Sequence, residues 1–233
     1  MPNSVRKEGR IMIKISPSVL ASDFSKLGKE SIRMENSGAD YLHLDVMDGR
    51  FVPNITFGAP VISAIRKHTE LIFDVHLMIE DPLKYIGDFA KAGADIITFH
   101  AESSSPVEET IDKIIKCGCK ASISVKPATP VEEIFPYLDK LSMVLIMTVE
   151  PGFGGQSFMY DMMDKIKTLR SEIKRRGLDV DIQVDGGINE KTVETAAEAG
   201  ANVLVAGSAV FNAEDASHAI SALRTLAEKA YSA

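Results

Sequence analysis

Short runs of apolar residues recur along the chain, and their starts lie about 22 to 38 residues apart. The runs are rich in Val, Ile, Leu and aromatic residues, and most are nearly continuous rather than alternating with polar residues. A β-strand that is buried on both faces has this pattern. The pattern therefore predicts eight strands, at residues 13–20, 41–46, 71–77, 96–100, 120–125, 143–149, 181–184 and 203–206.

Each interval between predicted strands is long enough for one helix and two short loops. Eight strand–helix units in series predict an α/β protein with a single (β/α)8 barrel. The alternative is an open doubly wound sheet, which usually has fewer strands and a Gly-x-Gly-x-x-Gly turn after the first strand. Here Ala21, Ser22 and Asp23 follow the first predicted strand, so the sequence favours the barrel.

Residues that begin and end helices lie in the intervals between the predicted strands. Capping boxes are predicted at 105–108 and 129–132, each with proline at the first helical position, and Asp81 precedes Pro82 as a third helix start. Three similar segments, at 37–40, 92–95 and 199–202, lie between a helix and a strand and carry glycine at their second position. They predict one helix-to-strand turn that is used three times, with a left-handed glycine closing each helix.

The composition restricts the class of protein. The chain has 233 residues, a formal net charge of −7 and 45% hydrophobic residues, which is typical of a globular protein rather than a disordered or fibrous one. The acidic balance argues against a nucleic-acid partner. No apolar run approaches the roughly 18 residues that a membrane span requires, so we expect no membrane association. Cys117 and Cys119 give neither a disulfide framework nor a zinc-site spacing, which favours a reducing, cytoplasmic location.

The N-terminal segment differs from the rest of the chain. It carries Arg6, Lys7 and Arg10 but no apolar stretch, so it lacks the pattern of a secretory signal. Met12 opens the first apolar segment. We therefore expect residues 1–11 to be a disordered extension and residues 12–233 to form the barrel domain.

Polar side chains at the strand ends are the candidates for chemistry, because the catalytic residues of a barrel lie at the carboxyl ends of its strands. His43 and Asp45 are two residues apart on the second strand, so their side chains point the same way. His76 lies at the equivalent place on the third strand, and Asp185 closes the seventh. Two imidazoles and two carboxylates at one height predict a divalent-metal site, with hydrogen-bonded structural histidines as the alternative. His100 ends the fourth strand without a metal-ligand partner and is interpreted as structural.

Glycine-rich turns follow the last three predicted strands, at residues 152–156, 185–189 and 207–209. Glycine lets the backbone approach an anion closely, and N–H groups at a helix start bind an anion without lysine or arginine. Barrels commonly hold a phosphate at the loops after strands seven and eight. The turns therefore predict a phosphate site, with ordinary tight turns as the alternative.

A metal ion, two carboxylates and a phosphate site together suggest enolate chemistry on a sugar phosphate. The metal would polarise a ketone oxygen while the neighbouring C–H group is deprotonated. Asp45 and Asp185 lie on separate strands and could reach opposite faces of a planar enediolate, one removing a proton and the other delivering one. This exchange would invert the configuration of the carbon. A single base would instead suit an isomerisation in which the proton moves along one face.

Six segments stand out by their length and order: SPSVL at 16–20, HLDVMDGRFVPN at 43–54, HLM at 76–78, MTVEPGFGGQ at 147–156, VDGGIN at 184–189 and GSAVF at 207–211. Together they resemble the signature of the ribulose-phosphate 3-epimerase family. The match runs from about residue 12 to the C-terminus without large insertions, and long segments in register are more specific than any single glycine turn. The departures are slight, namely the order Ala21-Ser22 before Asp23 and the basic segment before Met12.

The resemblance implies interconversion of D-ribulose 5-phosphate and D-xylulose 5-phosphate in the pentose phosphate pathway. It implies one divalent ion (Zn, Fe(II), Mn or Co), a sugar-phosphate substrate and a homo-oligomer, either a dimer or a hexamer. The implied metal ligands are His43, Asp45, His76 and Asp185, and Asp45 and Asp185 also act as acid and base. The implied substrate contacts are Ser18, Met47, His76, Met78, Met147, Gly152, Phe153, Gly154, Gly155, Asp185, Gly186, Gly187, Gly207 and Ser208.

Other functions stay open at this point. An epimerase of the same fold could act on a hexulose 6-phosphate such as D-allulose 6-phosphate, although the glycine turns favour the pentulose. A decarboxylase of this fold uses Asp-x-Lys where this chain has Asp74-x-His76. A non-catalytic sugar-phosphate-binding barrel would keep the glycine turns but would not need both Asp45 and Asp185.

Overall fold

The structure is a computed structural model that describes residues 12–231. The predicted disordered extension at 1–11 lies outside the described residues and stays a prediction. Within the described range, eight parallel strands alternate with helices. The strands are β1 (Lys14–Pro17), β2 (Tyr41–Met47), β3 (Ile72–Met78), β4 (Ile96–His100), β5 (Lys120–Val125), β6 (Met143–Met147), β7 (Asp181–Asp185) and β8 (Val203–Ala206).

The strands form one parallel sheet. From β2 to β8 each strand pairs with the next one along the chain, and β8 also pairs with β1. A parallel bridge between Ser18 and His43 joins the end of β1 to β2, so the sheet is a nearly closed barrel. The predicted (β/α)8 barrel is therefore confirmed. The first predicted strand is too long, because Pro17 ends β1 and a short 3₁₀ turn follows at Val19–Ala21. Ser18 begins this turn by accepting a hydrogen bond from the Leu20 N–H group.

The helices lie in the intervals between the strands. The α-helices are α1 (Leu27–Asn36), α2 (Ala59–Arg66), α3 (Pro82–Lys91), α4 (Val107–Lys116), α5 (Met163–Arg176), α6 (Val193–Ala199), α7 (Ser208–Phe211) and α8 (Ala216–Ala230). Further 3₁₀ helices span Phe24–Lys26, Val131–Lys140 and Tyr160–Met162. The interval after β5 holds the 3₁₀ helix Val131–Lys140, because Pro136 removes a backbone donor and its ring disturbs the α-helical geometry. Among residues 12–231, every helix is too short or too polar to cross a membrane.

The first predicted capping box is wrong in its partners, although the helix begins where expected. α4 begins at Val107 after Pro106, and no side chain caps it. The Ser105 hydroxyl instead accepts a hydrogen bond from the Leu83 N–H group at 3.0 Å and donates one to Asp81 at 2.9 Å. Ser105 therefore stabilises the start of α3 rather than its own helix.

The repeated helix-to-strand turn is confirmed, and its last residue has the same role each time. The glycine at the second position has a positive φ in all three copies. The side chain of the last residue of each turn accepts a hydrogen bond from a backbone N–H group of an adjacent strand. The pairs are Asp40 with Ile15, Asp95 with Phe73 and Asn202 with Ile182, each at 2.8 Å. Each turn thus fastens a helix end to the amino-terminal side of the barrel.

The two faces of the strands differ in chemistry. Outward-facing Ile, Leu and Val side chains pack against the helices in one large core. The amino-terminal end of the barrel interior is filled by Tyr41, Ile96, Met143 and Val203. Most interior positions above this layer are buried and polar, and they include Ser16, His43, Asp74, Thr98, Ser122 and Gln183. The barrel therefore supplies a buried, largely polar interior directly beneath the carboxyl ends of its strands.

Candidate active site

Four potential metal ligands meet at the carboxyl ends of β2, β3 and β7. His43 and Asp45 share one face of β2 because they are two residues apart, and the strand register places His76 directly beside Asp45. Asp185 is the last residue of β7. One ligand atom from each of the four side chains lies within 4.8 Å of the others. We call these four residues the His/Asp cluster.

The distances within the His/Asp cluster show which ring nitrogens face its centre. The Asp45 Oδ1 atom lies 3.3 Å from both His43 Nε2 and His76 Nδ1, and these two nitrogens are 3.4 Å apart. The Asp185 Oδ2 atom lies 3.8 Å from His43 Nε2 and 3.9 Å from His76 Nδ1. Two nitrogens and two carboxylate oxygens converging in this way are a donor set that suits a divalent transition metal.

His43 is held by a carboxylate on the side away from the cluster. Its Nδ1 atom lies 2.8 Å from Asp74 Oδ2, and Asp74 is fully buried. Asp74 also accepts hydrogen bonds from Gln183 Nε2 and Ser16 Oγ, which come from the opposite side of the barrel and from β1. A carboxylate on the remote nitrogen is the usual partner of a metal-ligating histidine, so the contact fits a metal centre.

His76 has a different partner. Its Nε2 atom lies 2.9 Å from His100 Nε2, and the His100 Nδ1 atom lies 3.3 Å from Glu102 Oε2. Burial lowers the pKa of His100 to about 4, which keeps this ring neutral at neutral pH. Thr129, which the sequence predicts as a helix cap, donates its hydroxyl hydrogen to Glu102 instead. His100 therefore belongs to the surroundings of the cluster, and its interpretation as an isolated structural histidine is incomplete.

The two aspartates of the cluster have opposite pKa shifts. Burial raises the pKa of Asp45, but the neighbouring His43 and His76 outweigh burial and hold it well below its usual range. Burial, followed by the charge of Asp45, raises the pKa of Asp185 to about 6. Burial also lowers the pKa of His43, yet Asp45 and Asp74 outweigh it and hold that pKa well above its usual value. Two carboxyls whose pKa values are pushed apart can take different protonation states at one pH.

A cavity of about 860 Å³ opens above the cluster. Asp45 and Asp185 line it, and the Ser18 hydroxyl, also in its wall, donates a 2.6 Å hydrogen bond to Asp45 Oδ2. The other predicted contacts that line it are Met47, Met78, Met147, Gly152, Phe153, Gly154, Gly155, Gly186, Gly187, Gly207 and Ser208. Of the predicted substrate contacts only His76 does not line the cavity, because it lies in the buried layer behind Asp45.

The glycine turns after β6, β7 and β8 form part of the cavity wall. The chain approaches itself closely at Gly187, where φ is +69° and an added Cβ would lie 2.7 Å from the Phe158 backbone nitrogen. No lysine or arginine among residues 12–231 lines this cavity. An anionic group bound there would therefore rely on backbone N–H groups, Ser208 and uncharged side chains.

Several residues of the site were missed by the sequence analysis. Asn54 lines the cavity and donates a 2.9 Å hydrogen bond to the Gly152 carbonyl, which links the turn after β2 to the turn after β6. Asp74, His100 and Glu102 were also missed as partners of the cluster histidines. A polar residue within an apolar strand is the only sequence signal for Asp74 and His100, and it does not reveal their partners.

The fold and this cavity have the arrangement of (β/α)8-barrel enzymes, whose reactive side chains lie at the carboxyl ends of the strands. A model of the ribulose-phosphate 3-epimerase family matches residues 14–211. The chain is 49% identical over 219 residues to the cytoplasmic isoform of ribulose-phosphate 3-epimerase from Oryza sativa subsp. japonica, covering 92% of this chain and 94% of that protein. It is 50% identical over 214 residues to ribulose-phosphate 3-epimerase from Bacillus subtilis, covering 91% of this chain and 99% of that protein.

The solved structures show the same fold at low sequence identity. The 3-hexulose-6-phosphate synthase from Salmonella typhimurium superposes with a TM-score of 0.66 and 20% identity, covering 94% of this chain and 100% of that one. At this identity the likeness concerns the fold alone. The family model and the curated relatives cover most of the chain, so the chain belongs to the ribulose-phosphate 3-epimerase family and is an enzyme of that activity.

Proposed function

We propose that the enzyme interconverts D-ribulose 5-phosphate and D-xylulose 5-phosphate at the His/Asp cluster, with one divalent metal ion, through a 2,3-enediolate. The observation that carries the proposal is the convergence of four ligand atoms within 4.8 Å of one another at the base of the cavity. The epimerase relatives support the substrate. The donor set and the second partners of both histidines support the metal.

The ion would be held by His43 through Nε2, by His76 through Nδ1 and by the carboxylates of Asp45 and Asp185. When bound, a divalent ion supplies Lewis acidity that favours negative charge on the ketone oxygen of the substrate. The mixed nitrogen and oxygen donors are compatible with Zn²⁺, Fe²⁺, Mn²⁺ or Co²⁺, and the identity of the ion stays open.

Asp45 and Asp185 would act as the acid and base. One carboxylate removes the C3 proton, and the C–H electron pair moves toward the C2 carbonyl to give the enediolate. The other carboxyl then delivers a proton to C3 from the opposite face, which inverts that carbon. In the metal-free site the pKa shifts keep Asp45 ionised and make Asp185 the more readily protonated, so the two carboxyls can hold different protonation states at one pH.

The remaining predicted residues would bind and enclose the sugar phosphate. Ser18 holds Asp45 in place and lies in the cavity wall, where it would contact the sugar, whereas His76 lies behind Asp45 and would act as a metal ligand only. Met47, Met78 and Met147 would form an apolar cover over the reacting carbon. The glycine turns would bind the phosphate through backbone N–H groups, which explains how a chain of net charge −7 could take an anionic substrate.

The proposal is tested by removing and restoring the metal. The protein is dialysed against a chelator, and epimerisation of D-ribulose 5-phosphate is followed by a coupled assay, with D-allulose 6-phosphate as the comparison substrate. We expect activity to be lost on dialysis, to return with one of Zn²⁺, Fe²⁺, Mn²⁺ or Co²⁺, and to favour the pentulose. Full activity in a rigorously metal-free sample would contradict the metal role.

The cellular location, the oligomeric state and the partners of the enzyme are predicted from its sequence. We expect a cytoplasmic homo-oligomer, a dimer or a hexamer, with no nucleic-acid partner. Two free cysteines, one exposed and one buried, support a reducing location. Sedimentation analysis of the purified protein would determine the oligomeric state directly.

A further inference from the structure

The two histidines of the cluster face its centre with different ring nitrogens, which requires different tautomers. His43 presents Nε2 and has Asp74 on Nδ1, so a carboxylate directly holds its proton on Nδ1. His76 presents Nδ1 and must carry its proton on Nε2 if Nδ1 is to offer a lone pair. Its Nε2 atom has no carboxylate partner and faces another imidazole, His100.

The contact between His76 and His100 fixes the arrangement of protons. Their Nε2 atoms are 2.9 Å apart, so one hydrogen bond joins them and its proton is carried by one of the two nitrogens. The Glu102 carboxylate can only accept a hydrogen bond, and its Oε2 atom faces His100 Nδ1 at 3.3 Å. His100 therefore carries its proton on Nδ1, accepts through Nε2, and leaves His76 as the donor.

From this geometry we infer that Glu102, acting through His100, holds His76 in the tautomer whose Nδ1 lone pair faces the His/Asp cluster. Glu102 and His100 are thus positioning residues for the metal ligand His76. Glu102 acts on His76 through His100, whereas Asp74 contacts His43 directly. Asp45 Oδ1 lies 3.3 Å from His76 Nδ1 and competes for a proton there in the metal-free protein, and the 2.9 Å contact with His100 is what keeps a proton on His76 Nε2. The consequence for metal binding rests on the proposed function.

Glu102 is itself fixed in one orientation. Its Oε1 atom accepts hydrogen bonds from the Lys126 N–H group at 2.7 Å and from the Thr129 hydroxyl, and both partners are donors. Oε2 is consequently the atom that faces His100. In a Glu102→Gln variant, the amide oxygen would stay with the two donors and the amide NH₂ group would face His100. The substitution is nearly isosteric but reverses the direction of the hydrogen bond.

The chain of hydrogen bonds is sheltered from solvent. His76 and His100 are fully buried, and the Phe51 ring lies over His100 with a centroid distance of 4.8 Å. The Lys126 ammonium group lies 4.0 Å from the centre of the Phe51 ring on the outer side. This shelter favours Glu102, rather than an exchanging water molecule, as the group that decides the position of the protons.

The test compares the wild type with Glu102→Gln in the metal-free state. Long-range ¹H–¹⁵N NMR spectra report which nitrogen of each imidazole carries the proton, without any need for activity. We expect protonated Nε2 on His76 and protonated Nδ1 on His100 in the wild type, and the reverse in Glu102→Gln. Glu102→Asp keeps a carboxylate and should retain the wild-type tautomers. Glu133→Gln, an exposed change elsewhere, is the matched control.

A second readout is the affinity for Co²⁺, measured by competition with a chelator. We expect Glu102→Gln to weaken Co²⁺ binding about 10- to 100-fold, while Glu133→Gln leaves it unchanged. Unaltered His76 and His100 tautomers in Glu102→Gln, or a wild-type His100 protonated on Nε2, would overturn the inference. The wild-type spectrum can overturn the inference even if Glu102→Gln does not fold, and Glu102→Asp then tests the role of the carboxylate. Reversed tautomers with undiminished Co²⁺ affinity would instead contradict the proposed metal ligands.

Discussion

Asp45 and Asp185 show how one residue type acquires two chemical characters from its neighbours. Two imidazoles and the Ser18 hydroxyl surround Asp45 and favour its carboxylate form. Asp185 is partly buried beside that negative charge, which disfavours a second one. The pair is thus unfavourable in the metal-free protein, as expected for a site in which repulsion between ligands is relieved when a cation binds.

The Asp185→Asn substitution should raise the stability of the metal-free protein and lower its epimerase activity. The pKa of Asp185 is raised to about 6, so its contribution to stability is present below about pH 4 and is lost as the pH rises through 6. Metal-free Asp185→Asn should therefore gain stability over the wild type between pH 4 and 6 and keep that gain, on the order of 1–3 kcal/mol, at pH 8. Urea unfolding at several pH values measures the gain.

The same variant should lose epimerase activity by about 100-fold or more, because it lacks one of the two groups proposed to move protons. Asp164→Asn is a suitable control, since that carboxylate is almost fully exposed on α5; it should leave the activity unchanged and alter the stability by less than about 1 kcal/mol. Normal turnover by Asp185→Asn would show that the two-carboxylate mechanism is wrong.

At the scale of elements, the glycine turns connect strands to helices and also form part of the wall of the proposed substrate cavity. Gly187 and Gly177 have similar positive φ values, +69° and +66°, but only an added Cβ at Gly187 would meet another segment. Gly177→Ala at the end of α5 should cost about 1 kcal/mol of stability and leave the KM unchanged. Gly187→Ala should cost more and raise the KM for D-ribulose 5-phosphate about tenfold, because Phe158 and the cavity wall must move. Equal effects on KM would argue against a binding role for this turn.

The helix-to-strand turns hold the other end of the barrel together. Asp40 accepts hydrogen bonds from Ile15 N–H and from Arg224, both at 2.8 Å. Asp40→Ala should lower the free energy of unfolding by about 1–3 kcal/mol, because the Ile15 N–H group loses its acceptor. Asp40→Asn keeps an acceptor oxygen and loses only a partly exposed ion pair, so its cost should be about 1 kcal/mol or less. Chemical denaturation measures both, and equal losses would contradict the role assigned to the acceptor.

The strands could be predicted from the sequence because each is a nearly continuous apolar run, and the order of strands and helices leaves few topologies. The errors occurred where a tertiary contact competes with a local preference. Ser105 lies in a capping-box sequence, but its hydroxyl makes its hydrogen bonds with the Leu83 N–H group and with Asp81 of the preceding unit. Pro136 reduces the helix after β5 to 3₁₀ geometry, although the apolar spacing resembles that of an α-helix.

At the scale of the whole molecule, closure of the barrel assembles the site. Asp185 on β7 reaches the histidines of β2 and β3 across the interior, and Gln183 reaches Asp74 across a separation of 109 residues. The cluster residues could be predicted because they are polar residues toward the carboxyl ends of apolar strands in one fold. The partners Asp74 and His100 could not, because their contacts depend on ring orientations and on the register of a closed barrel.

Metal binding should stabilise the whole barrel, since it connects β2, β3 and β7. An ion that binds only the folded state at a concentration 100 times its Kd adds about 2.7 kcal/mol of stability. For a chain of this size we expect the melting temperature of the metal-free protein to rise by about 5–10 °C when Co²⁺ or Zn²⁺ is added. A calorimetric scan with and without the ion measures the shift, and its persistence in a His43→Ala variant would contradict the assigned ligands.

The central claim is that a proton leaves C3 of the substrate on one face and a different proton arrives on the other. The most direct test is epimerisation of D-ribulose 5-phosphate by the metal-loaded enzyme in D₂O, with the isotope at C3 followed by NMR at low conversion. The account predicts that the first D-xylulose 5-phosphate formed carries deuterium from the solvent at C3. Product that retains the original C3 hydrogen of the substrate would contradict it.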